Sequence, residues 1–424
     1  VSTPYDRRIL APFRGLRYTK PHGNQTAPPY DVLNTIQAQT FREQDSENIV
    51  HLDLPLTVGD AGSGAEADSL KNAEDVEIAH KNAAASLTNW VDQGVLGIDE
   101  TPSFYIYRQE YSDTSGKRRQ TLGVVGALRI GDPNIQPHEE ITKKAASDRL
   151  ASLNHTKTNI SMIYCLSTAA NLGSLLISDS PSSLDFTDEN GVRHTLQHLD
   201  SSTEIDALAA SVQSAPVIIA DGHHRYTMAK KYYDSLPTKI PGSDRIMALI
   251  VPLDPAHLLV RSIQRSLPSI GLTGSALREA IETVAFVTED DPERLAEIAI
   301  TDGDEEIGFV AEGKGFRLRP RPAAQSSSSS TTLQNLPAVW TRDVLLPAVK
   351  AETRVFHQDP NEVIDWVKSG EQAGAVILPP VTIAQITSVA NAQERMPPKT
   401  TFFWPKARTG LVLRRFLDQE NKSE

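Results

Sequence analysis

Between Ser69 and Gln93 the apolar residues Val76, Ala79, Ala83, Leu87, Trp90 and Val91 recur at steps of three and four, the spacing that gathers one stripe on a helix. Gly94 follows and marks its end. Downstream the period shortens to two. Phe104 to Tyr111 and Thr121 to Ile130 alternate or run apolar on either side of a polar turn at Asp113 to Lys117, which predicts a hairpin. Short apolar runs around Cys165, at Val217 to Ala220 and at Met247 to Val251 read as buried strands, and Val192 to Leu199 reads as a further strand. A helix follows Ala220 and runs to about Leu236, and Thr273 to Arg319 reads as helix, strand, helix, strand, strand. The pattern predicts an α+β fold with mixed sheets and helices.

Breaks in the pattern set the expected organisation. Arg14 to Leu56 carries short apolar runs interrupted by prolines. In Ala27-Pro28-Pro29-Tyr30-Asp31-Val32 the two prolines impose an extended approach that aims Tyr30 and Asp31 in a fixed direction. Val58 to Ala67, rich in Gly, Ala, Ser and Asp, reads as a surface loop. Pro320 to Asn335, with five serines from Ser326 to Ser330, reads as a low-complexity, mobile surface loop. A mass of 46.4 kDa exceeds what one core usually supports. Three regions are expected: 1–130, 131–270 and 271–424.

Composition narrows the function. Hydrophobic residues at 39% and charged residues at 23% suit a globular protein with a sizeable core. The balance of 42 basic against 54 acidic residues gives −12 without a basic stripe, which makes nucleic acid an unlikely partner. No run of about 18 apolar residues and no charged-then-apolar leader is visible, so the expectation is a cytoplasmic protein with no membrane contact. The single cysteine, Cys165, lies in an apolar run and reads as a packing residue.

Candidate chemistry concentrates in Ala220-Asp221-Gly222-His223-His224-Arg225-Tyr226, where an apolar strand meets a helix start. Gly222 permits a tight turn, and a helix N-terminus favours an anion such as phosphate. Arg225 can clamp that anion, and Asp221, His223 and His224 can orient a group or move a proton. The plainer alternative is that Asp221 caps the helix, Arg225 pairs with a surface carboxylate and the histidines are solvated. Two of the protein's 11 histidines standing between an acid and a guanidinium favour the chemical reading. Pro137-His138-Glu139, followed by Asp148 and Arg149, adds His138, Glu139 and Arg149 to the candidates. The tail Met396 to Lys406 sets three aromatics between prolines, with Lys399 and Lys406 flanking them. It suits either a rigid lip over a ligand or an apolar strap over a core. His194 and His198 have the spacing of a zinc pair, but on a strand and with no Glu after His194, so zinc is not expected. The Gly-rich Rossmann and Walker signatures are absent.

Six stretches, Ala27 to Val32, His51-Leu52-Asp53-Leu54-Pro55, Pro137 to Glu139, Asp148-Arg149-Leu150, Ile219 to Tyr226 and Met396 to Phe403, resemble in order and spacing the domain-of-unknown-function family 1015. That family usually has His before the Arg at Gln264-Arg265, and here it is Gln264. The strand-Asp-Gly-His-His-Arg-helix element also resembles the ParB/sulfiredoxin superfamily, which implies a core of that type around the bend. Members of that superfamily include nucleotide-dependent partition proteins and free-serine kinases. Three readings are open. The favoured one is a phosphoryl-transfer enzyme, kinase or phosphatase, acting on a small hydroxy-amino acid such as serine or its phosphate. A nucleotide-binding regulatory module and a metabolite sensor are the alternatives. For the enzyme the catalytic set is Asp221, His223, His224 and Glu139, with Gly222, Arg225, His138, Arg149, Tyr30, Asp31, Lys399 and Lys406 holding substrate or phosphate. Mg²⁺ and ATP or ADP would serve as cofactors, with Asp221, Glu139 or Asp31 as oxygen ligands or base. Nothing points to haem, flavin or zinc. The substrate is expected to be a small anion, and the oligomeric state is not readable.

Overall fold

The hairpin predicted from alternation forms the middle of a large mixed sheet. The computed structural model describes residues 7–55, 73–113, 115–137, 146–178, 180–301, 305–326, 330–353 and 355–419. The loop expected at 58–67 and the candidates His138 and Glu139 lie outside them. The described residues form two compact units, one drawn from Val1–Pro137, Ile141–Leu258 and Pro405–Glu424, the other from Leu259–Trp404.

In the first unit nine of the described strands join one sheet: β1 Leu10–Ala11, β2 Phe104–Ser112, β3 Arg118–Arg129, β4 Ile135–Pro137, β5 Ile163–Ser167, β6 Ser182–Thr187, β7 Arg193–Leu199, β8 Val217–Asp221 and β9 Arg245–Pro252. They lie in the order β4-β8-β5-β9-β3-β2-β7-β6, with β1 added to β3. The β4/β8 and β5/β9 pairs are parallel and the other pairs antiparallel. Alternate residues explain which face is buried. Phe104 and Ile106, Leu122 and Val124, Ile163 and Cys165, Val217 and Ile219, and Ile246, Ala248 and Ile250 share one core. Helix α3, Ser202–Gln213, covers it with Ile205, Leu208 and Val212, each buried aliphatic side chain stabilising the fold by about 1.5–3 kcal/mol. Helix α1, Ala73–Asp92, realises the stripe seen in sequence and packs Ala83, Leu87 and Trp90 into a second core with Leu16, Tyr18, Leu52 and Leu96. Helix α2 spans Ala146–Thr156 and helix α4 His223–Ser235.

The second unit carries an antiparallel sheet of six described strands: Gln264–Leu267, Ala285–Asp290, Ile307–Ala311, Lys314–Pro320, Val355–His357 and Gly374–Ile377. The middle helix expected between Thr273 and Arg319 is a 3-10 helix, Pro292–Ile300. Its three-residue period puts Leu295 and Ile298 in line, and both are buried. Two segments take definite form at their described residues. The aromatics of the tail form a strand, Phe402–Trp404, paired with Leu259–Arg261, and Phe402 and Phe403 are buried. Ser326 and Ser330 at the two ends of the serine run are bonded: the Ser326 hydroxyl donates to Asp343 at 2.5 Å, and the Ser330 hydroxyl donates to Glu394 at 2.5 Å. Among the described residues no helix is long and apolar enough to cross a membrane.

Candidate functional site

Strand β8 delivers the site by breaking its own alternation. Ile219 pairs with Cys165, yet Asp221 pairs with Tyr164, so Ala220 is an extra residue on this edge. A bulge of this kind re-aims the side chains beyond it, and Asp221 leaves the face that Val217 and Ile219 give to the core. Gly222 then turns at φ 86°, a conformation that a Cβ disfavours. Its carbonyl accepts the first helical bond of α4 from Tyr226 N at 2.9 Å. His223 and His224 occupy the first two helical positions, both half-buried.

Arg225 is carried inward by the same stripe as Met228, Ala229 and Tyr232, all buried on α4. Only 8% of Arg225 is exposed, and one Nη donates to the Met162 carbonyl. Its Nε is enclosed without a hydrogen-bond partner among the described residues, and Asp221 stands 3.8 Å from its other Nη. Burial opposes the guanidinium charge. Asp31 and Asp221 outweigh that effect and raise its pKa above the usual arginine value.

Asp221 is the junction of the site. Its Oδ1 accepts from Gly222 N at 2.9 Å, and its Oδ2 accepts from Lys406 Nζ at 2.8 Å. Burial alone would raise its pKa. Lys406 and Arg225 reverse that and hold the carboxyl well below the usual carboxylate range. Lys406 is itself placed by Gln109, whose side-chain amide donates to the Lys406 carbonyl at 3.0 Å.

The proline-guided segment reaches the same place. Tyr30 and Asp31 open a 3-10 turn after Pro29. The Tyr30 ring lies 3.9 Å from the Arg149 guanidinium carbon and 5.8 Å from that of Arg225. Burial raises the Tyr30 pKa against the pull of both arginines. Asp31 is exposed.

Arg149 is more occupied than the sequence suggests. Its Nη1 donates to Asp53 Oδ1 at 2.8 Å, its Nη2 to the Asp53 carbonyl at 2.7 Å and to Asp148, and its Nε to Asp148 at 2.8 Å. Four of its five N–H groups are thereby in use. Asp148 also bonds His80 Nε2 at 2.8 Å, and Arg149 and His80 together outweigh burial and lower its pKa. At Asp53 burial wins, and the pKa rises despite Arg149. His80, Asp148, Arg149 and Asp53 thus form a frame behind Tyr30. Sequence reading gave no role to His80 or Asp53. The one signal for His80 was a histidine within the apolar stripe of α1, between Val76 and Ala83.

The candidates that converge in the first unit are therefore Tyr30, Asp31, Arg149, Asp221, Gly222, Arg225 and Lys406, with His223 and His224 at the start of α4. Lys399 belongs to the second unit, where it is exposed and its carbonyl accepts from Arg265 at 3.0 Å. Gln264 is fully buried in that unit: its amide nitrogen donates to Ser262 at 2.8 Å, and its oxygen accepts from Leu378 N at 2.8 Å. It serves as a clip between strands. His194 is committed on both ring nitrogens, to Tyr107 at 2.7 Å and Asp188 at 3.0 Å. No group of three or more potential metal ligands is poised among the described residues. The carboxylates of Asp221 and Asp31 are the oxygens at this site that a cation could use.

Comparison with known proteins comes down to one family and a set of distant structures. The model of a protein family of unknown function, DUF1015, matches residues 10–340. No curated protein matches. Among solved structures, a free serine kinase in complex with AMP overlaps 70% of this chain and 92% of its own at 14% identity and a TM-score of 0.37. A conserved hypothetical protein from Pyrococcus furiosus overlaps 70% and 97% at 15% identity and 0.36. SbnI with a C-terminal truncation, from Staphylococcus aureus, overlaps 70% and 90% at 11% identity and 0.37. Likenesses this slight assign no activity.

Proposed function

The chain belongs to the DUF1015 family of proteins of unknown function, so its activity has to be argued from the site, and we propose that the first unit catalyses phosphoryl transfer to or from a small hydroxy-amino acid, with serine and phosphoserine as the pair to test first. The observation that carries this reading is Arg225: an arginine 8% exposed, in the first turn of a helix, with an enclosed Nε that nothing bonds among the described residues. A buried guanidinium with an unused donor beside a helix N-terminus suits an arriving phosphate oxygen.

In the kinase direction the substrate hydroxyl oxygen forms the new P–O bond and the bond from phosphorus to the departing ADP oxygen breaks. The proton passes to an imidazole of His223 or His224. Asp221 is a weak proton acceptor because Lys406 and Arg225 hold it ionised. Its role is to orient Lys406 or the substrate ammonium. Little more is required of the protein, since positioning and charge neutralisation dominate this class of reaction. Mg²⁺ would enter on the nucleotide phosphates, and Glu139 and His138 remain candidates for base and phosphate ligand. Arg149 fixes the Tyr30 ring and Lys406 closes on the transferred group.

The test is phosphorus NMR of the protein with Mg²⁺, ATP or ADP and serine, and separately with phosphoserine. Turnover that disappears in His224→Ala and Arg225→Ala and persists in Cys165→Ala supports the proposal. Nucleotide binding with no turnover of either substrate overturns it in favour of a regulatory module.

A further inference from the structure

The core face of the first sheet ends in charge. Phe104 and Ile106 on β2 and Val124 and Leu122 on β3 are core residues, and the next positions on that face are Arg108 and Gln120. Arg108 Nη1 donates to Gln120 Oε1 at 2.9 Å, and no carboxylate pairs with it among the described residues. The neutral partner fixes the guanidinium without cancelling its charge. Beside it opens a cavity of about 560 Å³, lined by Arg108, Leu122, Thr168, Leu253, Asp254 and His257 among others. That size falls within the range of small-molecule sites.

The same lining also supplies the opposite sign. Asp254 is exposed, its Oδ1 accepts from Ala256 N at 2.8 Å, and no cation pairs with it among the described residues. Leu122 and Leu253 line the apolar part, and Thr168 is exposed on the rim. This cavity is separate from the bend. Tyr164 pairs with Asp221, and Ser167, which lines the cavity, lies about 10 Å further along β5.

One cation, one anion and an apolar wall in a single cavity define a small guest bearing both charges. We propose that this cavity binds a free α-amino acid with an apolar side chain, its carboxylate on Arg108, its ammonium on Asp254 and its side chain against Leu122 and Leu253. The site stands apart from the phosphoryl-transfer reading and does not depend on it.

Isothermal titration of the full chain with L-leucine tests this, with N-acetyl-L-leucine and L-leucinol as probes that each lack one charge. Binding of L-leucine at millimolar concentration is expected, with each probe weaker by about tenfold or more. Arg108→Gln and Asp254→Asn should each weaken L-leucine by a similar factor, while Arg225→Ala leaves it unchanged. The proposal is overturned if L-leucine does not bind, if the one-charge probes bind equally well, or if Arg225→Ala abolishes binding that Arg108→Gln retains. The probe comparison uses the wild-type chain, so it decides even where a variant fails to fold.

Discussion

Replacing Gly222 by alanine separates two costs that the bend imposes. The residue sits at φ 86°, and a Cβ there would lie 2.8 Å from Ile163 Cγ2 and 3.1 Å from Arg225 Nε. The left-handed backbone costs an alanine about 1–2 kcal/mol. Crowding against a fully buried isoleucine adds about 1–3 kcal/mol, since Ile163 belongs to the core and has little room to move. Gly94, at φ 72° with no atom within 4 Å of its would-be Cβ, carries the first cost alone. Urea unfolding followed by far-UV circular dichroism should therefore show Gly94→Ala destabilised by about 1–2 kcal/mol and Gly222→Ala by about 2–5 kcal/mol, with m unchanged. In thermal melts each kcal/mol corresponds to about 2–4 °C for a unit of this size. Equal effects from the two substitutions would refute the close approach of the backbone to Ile163 and Arg225.

Three further outcomes are expected from the same geometry. Arg149→Met leaves Asp53 buried without its partner and should cost about 3–5 kcal/mol, while adding Asp53→Asn should restore part of the loss; unfolding of the single and double variants checks it. Asp148 and Asp221 have pKa values lowered from 3.8, so the stability they contribute is complete above that value and fades as pH falls through their folded values. Asp221→Asn should therefore flatten the acid limb of the stability profile and leave its neutral limb in place. Cys165 is fully buried, and burial pushes its thiol pKa up; the native protein should resist alkylation by iodoacetamide and react once unfolded in urea.

Local periodicity made the secondary elements legible, and long-range pairing stayed hidden. Alternation predicted the hairpin of β2 and β3, and the three-four spacing predicted α1, because each is a property of neighbouring residues. The bulge at Ala220 was invisible, since register belongs to a pair of strands and not to one. The same holds for Lys406, which reaches Asp221 across 185 positions, and for Phe402–Trp404, whose strand partner is Leu259–Arg261. The residue type of Arg149 fits a phosphate ligand. Its engagement by Asp53 depends on a contact 96 positions away that no local pattern encodes. Pro28 and Pro29 did announce that Tyr30 would be aimed, and the ring lies against Arg149. The target of that aim was not written nearby.

The most direct test of the anion site is isothermal titration with phosphoserine on the wild type, Arg225→Ala and Arg108→Gln. Saturable binding to the wild type and to Arg108→Gln, weakened at least about tenfold in Arg225→Ala, is the predicted result. Binding that ignores Arg225, or no binding to the wild type, would contradict the assignment of the bend as a phosphate site.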